Sequence, residues 1–535
     1  MEMSEKNYKY GVTGPLSIKE STEEEHGMSA EMDRYLEECG FFEDESEGQT
    51  RERVLGRLNF MVKEFVARMA KSKGGMEGEK PCGGKIFTFG SYRLGVHSKG
   101  ADIDALCIVP RHVSRSDFFV HFYEELRNNP GIEEATKIEE AFVPIIKFKF
   151  QGIPIDLVFA RLNVPVVKEG INLLNDTLLK NMDEKCILSL NGSRVTDEML
   201  SLVPNVKVFH SALRCIKYWA KRRCVYGNSY GYFGGVAFSL CVARVCQLYP
   251  NVSSFVIVCK FFELFSSWKW PMPVILRPVV DLNFNLKVWD PKIHPSDKYH
   301  RMPVITPAYP SMCATHNVSN STQHAITVEF ARANEILCML EKSDSKKNEQ
   351  EKSTSERLEM KKSCFRKIFE LSDFFSKYKL FIEVMAISVG VENEGFQKWE
   401  GYVESKIRIL ASKFEAVDDI LYAIPFPKAF EISGERIPSV CANACAKEIR
   451  RCTVFFIAID TIPVKGKKVF VDQQVKDFVE FINEYEGRPD GMSIEVHSLK
   501  KKDVQEFLRM YYGKPKEQPE ESKRRKVSVG GGDDK

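Results

Sequence analysis

The residues best suited to chemistry in this sequence are two aspartates, Asp102 and Asp104, one position apart in the stretch GADIDALCIV. Side chains on a strand alternate with period two, so both carboxylates point to one face. Like charges that close repel unless something positive lies between them. Ile103, Leu106, Ile108 and Val109 anchor the same segment in an apolar core. A third carboxylate, Asp156, follows a stretch in which Ile146, Phe148 and Phe150 alternate with lysines and Gln151-Gly152 supplies a turn. That pattern predicts a hairpin, and Pro154 in its second arm predicts an edge position or a bulge. Three carboxylates on neighbouring strands suit Mg²⁺, a hard ion held by a few carboxylates together with substrate phosphates. Two such ions roughly 3.5–4 Å apart activate an attacking hydroxyl and stabilise the leaving oxygen of a phosphoryl displacement. Upstream, the Gly90-Ser91 turn offers backbone N–H groups and a hydroxyl that can donate to phosphate. A lone DxD is more often a turn or a solvated ladder. Apolar flanks, the Gly-Ser turn and the later Asp156 together reverse that balance.

The elements that must position these groups follow from periodicity. Val54, Leu55, Leu58, Met61, Phe65 and Val66 recur at helical spacing, and residues 86–200 alternate short apolar runs with helix-like segments. From Val206 to about Glu341 helices are expected to dominate. VFHSALRCIKYWAKRR places Phe209, Ala212, Leu213, Ile216 and Trp219 on one face, and VAFSLCVARVCQLYP is apolar on nearly every side, as a buried helix is. Charges crowd EKSDSKKNEQEKSTSERLEMKK, which predicts an exposed linker or solvated helix at a domain boundary. Beyond it, KYKLFIEVMAISV and TVFFIAIDTIPV read as strands, while FQKWEGYVESKIRILASKF and QVKDFVEFINEY read as helices.

A chain of 535 residues is expected to form two to four domains. Its 43% hydrophobic and 28% charged residues are ordinary for a protein with packed cores. With a formal net charge of +3, any contact with nucleic acid must come from local patches. The 15 cysteines are scattered and odd in number. Cys441 and Cys445 lack a matching second pair, which argues for reduced thiols and against structural zinc. No apolar run reaches membrane-spanning length and the first residues carry no apolar signal core, so no membrane association is expected. The connector KGGMEGEKPCGGK has Glu79 where a phosphate-binding loop needs its first glycine, and it reads as a flexible link. Lys523, Arg524, Arg525 and Lys526 form a run that suits a nuclear import signal or a solvated tail. Lys500, Lys501 and Lys502 suit an RNA-contacting patch or a solvated helix start.

FGS followed by DID, with a later strand aspartate, resembles the nucleotidyltransferase superfamily centred on DNA polymerase beta. Further stretches resemble eukaryotic nuclear poly(A) polymerases: YGVTGPLS, FTFGSYRLGVHSKGADIDAL, AFVPIIKFKFQGIPIDL, LNGSRVTDEML, VYGNSYGYFGGVA, HRMPVITPAYPSMCATHN and KWEGYVESKIRIL. That resemblance implies an α+β multidomain protein. Its parts would be an N-terminal segment contributing to the middle domain (1–50), a polymerase-beta-like nucleotidyltransferase palm with a mixed sheet (51–205), a helical middle domain (206–350), an RRM-like (ferredoxin-like) RNA-binding domain (351–513) and a basic tail (514–535). It implies Asp102, Asp104 and Asp156 as catalytic metal ligands, with Phe89, Gly90 and Ser91 along the triphosphate and Lys217, Tyr226, Asn228, Gly235 and Val236 contacting ATP. It also implies two Mg²⁺ ions, with Mn²⁺ as a substitute, and template-independent adenylyl transfer from ATP to an RNA 3′-hydroxyl in a nuclear mRNA 3′-processing complex. The chain would be a monomer on its own. Ala101 stands before the first aspartate, where the resemblance leads one to expect serine; Ser98 or Lys99 are the candidate replacements.

Three rivals share parts of this pattern. Uridylyl-adding, CCA-adding and oligoadenylate-forming nucleotidyltransferases would use the same carboxylates. An inactive RNA-binding scaffold has no need to keep a costly cluster of charges. A metal-dependent 3′-exonuclease could use clustered acids but has no need of the Gly-Ser turn before them.

Overall fold

Acidic capping boxes start the first two helices of the computed structural model, which describes residues 11–74, 83–343, 354–389, 395–433, 449–462 and 469–513. Thr22 and Glu25 exchange reciprocal bonds at the start of α1 (Glu23–Glu38), and Asp44 and Glu47 do so at the start of α2 (Glu45–Ser72). Each box satisfies two N–H groups that a helix start leaves unpaired. Along α2, Val54, Leu58, Val62, Phe65 and Val66 form a buried stripe that joins the core of the first sheet. The connector around Glu79, the Cys441 and Cys445 pair, and the Lys523–Lys526 run lie outside the described residues.

The first sheet contains β1 (Lys85–Thr88), β2 (Ile103–Val109), β3 (Ile132–Ile138), β4 (Ile145–Phe150) and β5 (Ile153–Arg161), in the order β1-β2-β5-β4-β3. A one-turn helix, α3 (Gly90–Arg93), links β1 towards β2. β2 and β5 run parallel, and the other neighbours run antiparallel. The β4–β5 hairpin forms as its alternation predicts. Pro154, however, is not on an edge, because β5 lies between β2 and β4. It pairs with Lys149 on β4, while the ladder to β2 begins one residue later at Ile155, so its missing N–H costs no bond to β2.

The helical part follows with α4 (Glu184–Leu202), α5 (Val206–Arg222), α6 (Gly235–Leu248), α7 (Ser254–Ser266), α8 (Asn320–Ser343) and α9 (Thr354–Arg366). Trp219 is its fully buried centre, with ring centroids 4.8 Å from Phe262 and 5.7 Å from Phe330. Helices do not dominate throughout. Residues 267–319 are largely irregular apart from one short turn, Pro295–Lys298. Prolines at 271, 273, 278, 291, 295, 303, 307 and 310 deny that stretch continuous helical bonding.

The chain divides into two compact units, residues 1–372 and 373–535. α9 belongs to the first unit because its cations meet α1: Lys361 pairs with Glu24, and Arg366 holds the buried Glu31 at 3.0 Å. In the second unit, β6 (Leu380–Val389), α10 (Phe396–Glu415), β7 (Ile420–Pro425), β9 (Ile449–Thr461), α11 (Asp472–Asn483) and β10 (Met492–Lys500) follow a β-α-β-β-α-β course. β8 (Phe430–Ser433) pairs with β9, and the order β10-β6-β9-β7 is that of a ferredoxin-like, RRM-like sheet. α12 (Lys501–Tyr512) closes the unit, and the three-lysine run straddles its start, with Lys501 Nζ donating to Ser376 O.

Candidate active site

Parallel pairing of β2 with β5 sets Asp104 directly opposite Asp156, and antiparallel pairing of β5 with β4 sets Lys147 on the other side of Asp156. Asp102 lies just before β2. Ligand oxygens of Asp102, Asp104 and Asp156 all fall within 4.8 Å of one another. Burial, then the charges of Asp102 and Asp156, push Asp104 up to about 7 against the pull of Lys147 and Lys217. Asp156 is also raised, chiefly by burial, although Lys147 Nζ sits 2.5 Å from its Oδ2. This surplus of close negative charge, offered entirely by oxygen, fits a hard divalent cation.

Gly90 is held at φ +61°, where a Cβ would lie 2.1 Å from Asp104 Oδ2. The position requires glycine both for its backbone and for its approach to the carboxylate. From there a cavity of about 470 Å³ extends between the sheet and α4, α5 and α6. Phe89, Gly90, Ser91, Asp102, Asp104, Lys217, Tyr226, Gly235 and Val236 line it. Asp156 completes the carboxylate cluster but not the cavity wall. Asn228 is not among the lining residues: its carbonyl accepts from Asn317 Nδ2 at 3.2 Å, and its own Oδ1 is buried with no partner among the described residues.

Lys217 is 7% exposed and donates to Val96 O at 3.3 Å. Burial, followed by repulsion from Lys221, lowers it to about 8. Burial and then Asp102 and Asp104 raise the Tyr226 phenol to about 12, so it stays a neutral donor. Its ring lies parallel to Phe238 at 5.9 Å, and its Oη stands 2.9 Å from where a Cβ on Gly235 would be. Ser98 and Ala101 line the cavity, whereas Lys99 turns away towards Asp44 and Glu47. Sequence reasoning missed Asn191, Thr306 and Lys221, which also line it. Lys221 had a signal, one turn beyond Lys217 at i,i+4. Asn191 had none; its Oδ1 is buried without a partner among the described residues, and its amide reaches Met312 Sδ at 3.6 Å.

Three family descriptions match successive parts of the chain: "Poly(A) polymerase nucleotidyltransferase domain" over residues 11–203, "Poly(A) polymerase central domain" over 208–351, and "Poly(A) polymerase predicted RNA binding domain" over 373–448. A poly(A) polymerase of Candida albicans is 48% identical over 426 residues, 79% of this chain and 73% of its own. One from Schizosaccharomyces pombe is 45% identical over 423 residues, covering 79% and 71%. One from Dictyostelium discoideum is 39% identical over 530 residues, covering 97% of this chain and 61% of its own.

Proposed function

This chain belongs to the poly(A) polymerase family, and we propose that its reaction is carried by Asp102, Asp104 and Asp156. The enzyme is a polynucleotide adenylyltransferase that extends RNA 3′ ends with adenylate, without a template, in mRNA 3′-end processing. The RNA 3′-hydroxyl attacks the α-phosphate of ATP and pyrophosphate leaves. Two Mg²⁺ ions at the three aspartates, replaceable by Mn²⁺, would supply Lewis-acid activation of the hydroxyl and neutralise charge on the leaving group. The remaining residues bind and orient. Gly90 and Ser91 present backbone and hydroxyl donors to the triphosphate. Lys217 exchanges Val96 O for a phosphate oxygen, and at about 8 it is mostly cationic at neutral pH. Phe89 lies with Gly90 and Ser91 on the triphosphate side, Tyr226 offers a neutral phenol, Gly235 and Val236 contact the nucleotide, and Asn228, set behind the cavity wall, would reach ATP through the buried Oδ1 that no described residue satisfies.

The observation that supports this assignment most is the convergence of three carboxylate oxygens within 4.8 Å beside a cavity of nucleotide size. The same reading keeps the division into N-terminal segment, palm, middle domain, RNA-binding domain and basic tail. It also places the protein, a monomer by itself, in the nucleus, tethered to subunits of the cleavage and polyadenylation complex. Primer extension of a 3′-hydroxyl RNA with each nucleoside triphosphate separately tests the chemistry. Long products with ATP alone, absent for Asp156→Ala, are expected. Efficient extension with UTP or CTP would move the nucleotide choice to a sister activity, and extension by Asp156→Ala at the wild-type rate would remove that residue from the site.

A further inference from the structure

The three aspartates are not held equally. Asp104 and Asp156 are fixed by the sheet register, but Asp102 precedes β2 and no ladder bond reaches it. What holds it is the loop 95–101, gripped from behind by the start of α2. Arg51, 1% exposed, donates from Nη2 to Ala101 O at 2.6 Å, and Ala101 is the residue directly before Asp102. Its Nε donates to Glu43 Oε2 at 2.7 Å, while Glu43 Oε1 meets His97 Nε2, within the same loop, at 2.9 Å. Burial works against the Glu43 carboxylate, yet bonds from His97 and Arg51 outweigh it and hold it below the usual range. Lys99 N adds a bond to Phe41 O at 2.8 Å.

A fully buried guanidinium is costly unless paired and bonded. Glu43 alone would neutralise this one, but one arm is directed at the carbonyl next to Asp102. We infer that Arg51, oriented by Glu43 and His97, is a positioning residue that fixes the height of Asp102 and thereby the affinity of the site for metal and nucleotide. This rests on Asp102 being a metal ligand, as proposed above. Outer partners of metal-binding side chains are worth about 10- to 100-fold in affinity when altered.

The test measures Mn²⁺ binding by the full chain, reading free Mn²⁺ by electron paramagnetic resonance in the presence of α,β-methylene-ATP, alongside steady-state constants for ATP and RNA. Arg51→Lys keeps the cation but cannot bridge Glu43 and Ala101 O together. It is expected to weaken Mn²⁺·nucleotide binding and raise KM for ATP about tenfold, with KM for RNA unchanged. Glu43→Gln, which leaves an acceptor for Arg51 and removes only the orienting charge, is expected to show the same selective loss to a smaller degree, and it decides the matter if Arg51→Lys does not fold. Wild-type Mn²⁺ binding in the folded variants, or an equal loss for RNA and ATP, would overturn the inference. Asp102→Asn separates the two levels: if it too binds Mn²⁺ normally, the assignment of Asp102 has failed; if it alone loses Mn²⁺, only the role of Arg51 has.

Discussion

As the proposed metal ligand, Asp104 would bind a cation only as a carboxylate, and burial with its two acidic neighbours pushes it up to about 7. Below that pH a proton competes with the metal. The Mg²⁺ concentration giving half-maximal extension is therefore expected to rise by up to about tenfold per pH unit as pH falls from 7 to 6, read at saturating ATP and RNA. Gly90 sets a second limit at this scale. Because its Cβ would lie 2.1 Å from Asp104 Oδ2, Gly90→Ala must displace either the carboxylate or the turn. Activity is expected to fall at least about 100-fold, the scale on which about 1 Å of misplacement costs rate, while circular dichroism stays that of the wild type. Gly235→Ala presses on Tyr226 Oη instead and should raise KM for ATP with RNA binding intact.

Among the elements, β6 carries the plainest conflict between residue and surroundings. Glu383 is 3% exposed in the middle of an apolar strand, opposite His497 on β10 and Phe456 on β9. Burial pushes it up to about 7, a push that His497 opposes and Glu495 reinforces. A raised carboxyl favours the fold while protonated, so its cost is absent below about 4.5 and grows as pH climbs through 7. Glu383→Gln is accordingly expected to stabilise the second unit by up to about 3 kcal/mol at pH 8, with the gap in melting temperature closing towards pH 5. Much at this scale could be read in advance. Alternation in IIKFKF and the Gln151-Gly152 turn predict the hairpin, and period two puts Asp102 and Asp104 on one face. The pairing of Asp104 with Asp156 was not legible, since it depends on a parallel register between strands distant in sequence. Pro154 misleads for the same reason, because where the β2 ladder begins is decided in three dimensions. Arg51 did leave a trace: it falls on the buried stripe of α2, three residues before Val54 and seven before Leu58.

At the scale of the whole molecule, a net charge of only +3 means that contact with RNA must come from local basic patches. Its affinity is expected to fall with salt along a shallow log–log slope, measurable by anisotropy. Within the first unit, the loop 95–101 is where the two sides of the cavity meet. Arg51 of α2 holds Ala101 O, and Lys217 and Arg214 of α5 hold Val96 O and Gly95 O. The Val96 carbonyl therefore gives the Lys217 ammonium somewhere to go whenever no phosphate is present. With Lys217 at the triphosphate, as proposed, letting go of pyrophosphate would not strand a buried cation, and the departure of product would be eased by the contact that ATP has to displace. An enzyme that must repeat one addition many times along a single strand gains from such a cheap reset between cycles.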